Sequence, residues 1–278
     1  VNARLALVVV LALSAGCSTF TPTGPTPTVT PAPVPAAVET TETSPLPPGV
    51  TGNGITDAQK LAVAHVAETR NVSYTWRDHY VSERRLASGS LRTDLTQIAR
   101  VETESTYTYW TNRRADDADG PFSYLGNFSE YADRRGRYAR FVDDGEVVHR
   151  QYPRRPAHRR VGRFAGNAIR QYLSVENASV AVTLVDGQRY YAVEGSGYDL
   201  PSGWEISNYT VDATISPDGF VRRLNASYVR TRGDERETIR YGYAYSSVGN
   251  TTVEQPSWVG REWPDAAVNA SANATATP

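Results

Sequence analysis

Residues 204–249 read WEISNYTVDATISPDGFVRRLNASYVRTRGDERETIRYGYAYSSVG, and alternation runs through them three times. Tyr209, Val211, Ala213 and Ile215 take every second place in the first run, which puts them on one face of a strand. Ser216-Pro217-Asp218-Gly219 then reads as a turn, because proline presets φ and glycine tolerates conformations that side chains avoid. Phe220, Leu224, Ala226 and Tyr228 mark a second strand, with Arg222 interrupting, and Ile239, Tyr241, Tyr243 and Tyr245 a third. Such a meander has one apolar face that another layer must cover, so helices elsewhere in the chain predict an α+β domain.

Upstream, SVAVTLVDGQRYYAVEG (179–195) predicts a hairpin about Asp186-Gly187. Before it, HRRVGRFAGNAIRQYL (158–173) carries Val161, Phe164, Ala165, Ala168, Ile169 and Tyr172 at the spacing of one buried helical stripe. Gly162 and Gly166 in that helix predict close packing on a sheet. FSYLGNFSEYADRRGRYARFVDDGEVVHRQY (122–152) reads as three strands, broken at Arg135-Gly136 and Asp144-Gly145. Val101, Thr103, Ser105, Tyr107 and Tyr109 predict one face of a single strand, and Tyr74, Trp76, Asp78 and Tyr80 the face of another. GITDAQKLAVAHVAETRN (54–71) predicts the first helix, started by a capping box of Thr56 and Gln59 with Asp57 near its positive end. Leu61, Ala62, Val63, Val66 and Ala67 are its expected buried side, with His65 packed among them rather than serving as a ligand. The order is helix, about five strands, helix, hairpin, meander.

On that order, and on the strand-turn-strand ISPDGFVRRLNASY (215–228), residues 56–249 resemble the carrier fold of LolA, LppX, LprG and RseB. The resemblance implies an open half-barrel: a curved antiparallel sheet of about 9–11 strands with two main helices on its concave side. The whole chain, from PPGVTGNGITD (47–57) through the tyrosine-rich strands, is similar to a haloarchaeal lipoprotein family of unknown function. That second resemblance implies no activity.

The chain opens VNARLALVVVLALSAGCSTF, and Leu5 to Leu13 are nine consecutive apolar residues. A helix of that length rises about 14 Å, whereas a bilayer core of about 30 Å needs roughly 20 residues. A secretory h-region fits, and the small residues before Cys17 resemble a lipoprotein signal, from which Ser14 departs. The resemblance implies cleavage after residue 16 and a lipid on Cys17, the only cysteine. Residues 18–48 follow as a Thr/Pro-rich spacer, able to reach on the order of 90 Å if extended. The expected organisation is therefore a signal peptide (1–16), a lipidated cysteine with stalk (17–48), one α+β domain (49–264) and a disordered tail (265–278). Asn71, Asn127, Asn177, Asn208, Asn225, Asn250, Asn269 and Asn273 begin glycosylation sequons, eight of twelve asparagines. Chance would give about two or three at this Ser/Thr content, so the excess points to export and a glycan-bearing surface. The expected place is the extracellular side of a cell membrane, reached through the lipid anchor.

The basic residues are 28 arginines and Lys60, and the net charge is only -1. Lysine avoidance points to a salty habitat, although the acidic excess of a halophilic surface is missing. The sequence shows no HExxH, GxSxG, P-loop or GxGxxG, so no catalytic residue, cofactor or metal site is predicted and an enzyme is not expected. Asp116, Asp117 and Asp119 read as a solvated acidic loop rather than a calcium site.

Between Glu146 and Glu176 no acidic residue occurs. Arg154, Arg155, Arg159 and Arg160 in that stretch are candidates to contact an anionic lipid or glycan surface, or form a solvated helix face. Nucleic acid is not expected for an exported chain. The 17 tyrosines are either strand-forming core or the lining of an amphipathic cavity. In the second case Phe164, Tyr209, Tyr228, Tyr241 and Tyr243 are the candidate lining. The leading expectation is a surface lipoprotein that holds a lipid-like or other hydrophobic ligand. The alternative is a structural or sensory lipoprotein that docks an envelope protein or glycan, without a ligand cavity.

Overall fold

The computed structural model describes residues 45–264, apart from 87–88, 117–125, 144 and 199–202. A short hairpin, β1 (Val50–Thr51) and β2 (Gly54–Ile55), leads into α1 (Ala58–Thr69). Six strands follow: β3 (Tyr74–Leu86), β4 (Gly89–Val101), β5 (Tyr107–Ala115), β6 (Asn127–Ala132), β7 (Arg137–Asp143) and β8 (Glu146–Tyr152). A π-helical turn (His158–Gly162) runs into α2 (Arg163–Tyr172). The chain then forms β9 (Asn177–Val185), β10 (Gln188–Ser196), β11 (Glu205–Ile215), β12 (Val221–Arg232), β13 (Glu235–Ser246) and α3 (Ser257–Glu262).

Strands β3 to β13 form one eleven-stranded antiparallel sheet in the order 8-7-6-5-4-3-13-12-11-10-9. Two meanders meet where β3 pairs with β13, and β8 and β9 are left as opposite edges of a curved, unclosed sheet. The chain leaves from one edge and re-enters at the other, so the connection must cross the sheet. That connection is α2, which lies with α1 on the concave side.

The concave face is the core. Tyr74, Trp76, Asp78 and Tyr80 are all buried, as their alternation predicts, and so are Tyr209, Val211, Ala213 and Ile215. Complete burial of a side chain such as Leu61 or Ile169 contributes about 2 kcal/mol each. Val161 of the π-helical turn and Ala165, Ala168, Ile169 and Tyr172 of α2 are buried, as the stripe requires. His65 is packed as expected: the Val221 amide donates to its Nδ1 at 3.1 Å, leaving Nε2 to donate to the Tyr245 hydroxyl at 3.0 Å. Burial pushes its pKa down to about 3.

Several expectations are corrected. Six strands rather than about five lie between α1 and α2 among the described residues, because the run from Val101 to Tyr109 is two strands joined by a turn. Thr103 makes that turn: its Oγ1 accepts the amides of Ser105 and Thr106 at 3.3 and 3.0 Å, a local alternative to the sheet ladder. Helix α1 is capped by Asp57, whose Oδ1 accepts the Lys60 amide at 2.8 Å, while Thr56 Oγ1 donates to the Gly49 carbonyl. Val63 and Ala67 face solvent. Gly166 serves helix–helix packing rather than a sheet contact, since a Cβ there would lie 3.1 Å from Val66 Cγ2 of α1. The α3 turn is an addition. Val259, Trp258 and Trp263 cover Tyr131 and Tyr138 on the convex side of β6 and β7.

Candidate functional site

Helix geometry puts Phe164, Ala168 and Tyr172 on one line of α2, and Arg163, Asn167 and Gln171 on the line beside it. The first line faces the sheet and the second edges an open cavity of about 620 Å³ between α2 and the strands. Tyr80, Leu95, Tyr109, Phe128 and Phe141 supply its strand-side wall. Phe164 stacks on Tyr109 and Trp76 with ring centroids 5.5 and 5.9 Å apart, and Tyr172 stacks on Tyr241 at 4.7 Å. The wall is therefore largely aromatic and fixed by mutual packing.

The mouth is cationic. Arg137, Arg155, Arg160 and Arg163 line it, against one carboxylate, Glu130. Glu130 is buried and held from both sides: Arg160 Nε donates to its Oε1 at 3.0 Å and Arg137 Nη1 to its Oε2 at 3.1 Å. The Arg160 guanidinium also lies 4.8 Å from the centre of the Tyr109 ring, a cation–π contact. Arg155 and Arg163 have no carboxylate partner among the described residues, so the mouth keeps a positive excess.

A buried acid lies at the floor. Asp78 Oδ2 accepts the Gln97 side-chain amide at 3.0 Å and the Tyr241 hydroxyl at 3.3 Å, while Tyr109 donates to Gln97 Oε1. Asp78 Oδ1 has no partner among the described residues. Burial pushes the acid well above the usual carboxylate range, and the two donated hydrogen bonds only partly oppose it. A protonated Asp78 is a hydrogen-bond donor at the base of an aromatic cavity. The buried Trp76 Nε1 and Tyr243 hydroxyl, on the same face of the sheet, likewise lack partners.

Two sets of residues separated in the sequence analysis come together here. Phe164 and Tyr241 line the cavity, and so do Arg155 and Arg160. Tyr209, Tyr228 and Tyr243 stand outside that lining. Tyr209 donates to the Tyr172 carbonyl at 2.7 Å and packs on Tyr228, and Tyr243 packs against Trp76 and Tyr245. Arg154 and Arg159 are exposed and do not line the cavity. Asn71, Asn127, Asn177, Asn208 and Asn250 are exposed, whereas Asn225 is half-buried, with Nδ2 donating to Asp212 at 2.8 Å. Cys17, Asn269, Asn273, Asp117 and Asp119 lie outside the described residues. Asp116 accepts the Arg92 amide.

Leu95, Gln97, Phe128 and Glu130 are cavity residues that the sequence did not single out. Asp78 left a signal: a carboxylate at the third place of the otherwise aromatic face Tyr74, Trp76, Tyr80.

No protein-family model and no curated protein matches the sequence. Among solved structures, LprF from Mycobacterium bovis is similar at 14% identity, over 74% of this chain and 98% of LprF, with a TM-score of 0.30. A DUF1329 family protein from Desulfovibrio piger aligns at 10% identity over 73% of this chain and 95% of its own, with a TM-score of 0.25. A LolA superfamily protein from Nitrosomonas europaea aligns at 11% identity over 73% and 96%, with a TM-score of 0.22. In fold class the chain is α+β, built on a large, curved, unclosed antiparallel sheet with few helices among the described residues.

Proposed function

We propose that this chain is a binding protein for a lipid-like amphipathic ligand, carried on the extracellular side of a cell membrane by a lipid on Cys17. The observation that carries the ligand reading is the pairing of an aromatic wall with a mouth of unneutralised arginines in one cavity. Its volume of about 620 Å³ lies within the roughly 300–1,000 Å³ usual for small-molecule sites. An apolar tail lying on Phe128, Phe141 and Phe164 gains about 0.8 kcal/mol for each methylene removed from water. An anionic head group at the mouth meets Arg155 and Arg163, which need not be taken from a carboxylate first.

Native mass spectrometry of gently purified protein tests this. A bound species of lipid-like mass is expected, and Ala168→Phe, which places a ring in the cavity, should remove it while the melting transition persists. Repeated absence of any bound mass from the unsubstituted protein would overturn the ligand reading. The anchor is tested separately: Cys17→Ser should release the chain from the membrane fraction, and unchanged retention at the mature size counts against lipidation.

A further inference from the structure

The convex face of the sheet carries a second, larger depression of about 1130 Å³, spread over β3 and β9–β13. Its floor is Gly242 on β13. Register places Asn225 of β12 and His79 of β3 directly on either side of that glycine. Arg240 is two residues back on the same face of β13. Arg223 and Arg77 flank Ala244, two residues ahead, one on each neighbouring strand.

Sheet spacing sets the distances. Neighbouring strands lie about 4.8 Å apart and same-face residues about 7 Å apart, so each arginine Cα is about 7–8 Å from that of Gly242. An extended arginine spans about that distance, so three guanidinium groups can converge above one residue without a side chain. The opening depends on the glycine: a Cβ at 242 would lie 2.6 Å from Asn225 Oδ1.

These arginines also differ from those held in ion pairs. Arg84, Arg92, Arg137, Arg160, Arg222 and Arg230 are each matched to a carboxylate. The side chains of Arg77, Arg223 and Arg240 have no ion pair, hydrogen bond or ring contact among the described residues. His79 is paired to Asp94 at 2.9 Å and adds no free cation.

The other side of the depression is of opposite character. Asp212 and Glu194 continue the row of Gly242 and Asn225 onto β11 and β10, and Ser227, Thr210 and Ser196 form the next row. A partner that offers only anionic groups to this face, such as the phosphate plane of an acidic bilayer, would bring its charges against Asp212 and Glu194. A sugar with one carboxylate has the matching distribution, since its hydroxyls donate to carboxylates while its acid meets guanidinium groups.

We propose that this depression binds an acidic polysaccharide. A uronate carboxylate sits over Gly242 between Arg77, Arg223 and Arg240, and the ring hydroxyls reach Asp212 and Glu194. The site lies on the opposite face of the sheet from the aromatic cavity, and neither reading depends on the other.

Calorimetric titration of the full chain with polygalacturonate at low salt tests it, with neutral dextran and phosphatidylglycerol vesicles as comparisons. Polygalacturonate should bind, more weakly as salt is added, and dextran should not. Arg223→Gln with Arg240→Gln should weaken binding at least about tenfold without moving the melting transition, because neither arginine is paired. Arg77→Gln, on a different strand, gives the same readout should the double variant fail to fold. Absence of polygalacturonate binding overturns the proposal, as does undiminished binding by the folded variants. So does a loss of binding produced instead by Arg154→Gln with Arg155→Gln, or tighter binding of vesicles through the same three arginines.

Discussion

The Tyr241 hydroxyl of β13 reaches across the central seam of the sheet to donate to Asp78 Oδ2 of β3, at 3.3 Å. This bond helps hold a buried acid in place without making its charge comfortable, because desolvation outweighs it. An acid whose folded pKa is raised keeps its proton after the unfolded chain has lost its own. Stability therefore falls as pH rises from about 3.9 toward the folded pKa, by about 1.4 kcal/mol per pH unit. Asp78→Asn keeps an acceptor for Gln97 and Tyr241 and removes the titration. Urea unfolding between about pH 4 and pH 7 should show the variant gaining on the parent as pH rises; parallel curves would show that Asp78 is ionised in the fold.

His65 supplies a slope of the opposite sign. Its folded pKa of about 3 lies below the unfolded value of 6.5, so the unfolded chain takes up a proton first as the solution is acidified. Its contribution is intact above about pH 6.5 and is lost toward pH 3, again at about 1.4 kcal/mol per unit. His65→Leu should lack that slope. It should also cost about 2–4 kcal/mol at neutral pH, because the Val221 amide and Tyr245 hydroxyl lose their partner.

Glu130→Gln leaves Arg137 and Arg160 facing each other across a neutral amide inside the cavity mouth. Breaking a buried charge network in this way costs about 3 kcal/mol, measurable by chemical denaturation. The same change raises the positive excess at the mouth, so a ligand with an anionic head should bind the folded variant more tightly than the parent.

Gly166→Leu should separate α1 from α2 and cost about 1–3 kcal/mol, since Val66 Cγ2 already lies 3.1 Å from the place of a Cβ. Adding Val66→Ala should return part of that loss, and the pair should be strongly non-additive in thermal unfolding. Additive effects would mean that the two helices do not touch there.

The strands were legible because a sheet buried on one face writes a period of two into the chain, as in Tyr74, Trp76, Asp78 and Tyr80. Helix α2 was legible for the matching reason, its polar line Arg163, Asn167 and Gln171 standing beside its apolar one. Helix α1 misled because Leu61, Ala62, Val63, Val66 and Ala67 surround it with small and apolar residues, so no period marks which side is covered. The turn at Thr103 was hidden because Thr and Ser sit as readily in a strand as in a side-chain-capped reversal. Phe164 and Tyr241 were visible as aromatic lining. Glu130 and Gln97 were not, since a pairing such as Arg160 with Glu130 is made by sheet order and leaves no trace in local spacing.

Because the chain leaves one free edge of the sheet at Tyr152 and reaches the other at Asn177, with α2 packed over the central strands between them, the helix and its linkers act as a bowstring and the eleven strands as the bow. Flattening the sheet would require the string to lengthen, and a helix held by Phe164, Ile169 and Tyr172 does not stretch. The width of the aromatic cavity is thus set by the residues between Tyr152 and Asn177, in a stretch of chain that contributes no strand at all.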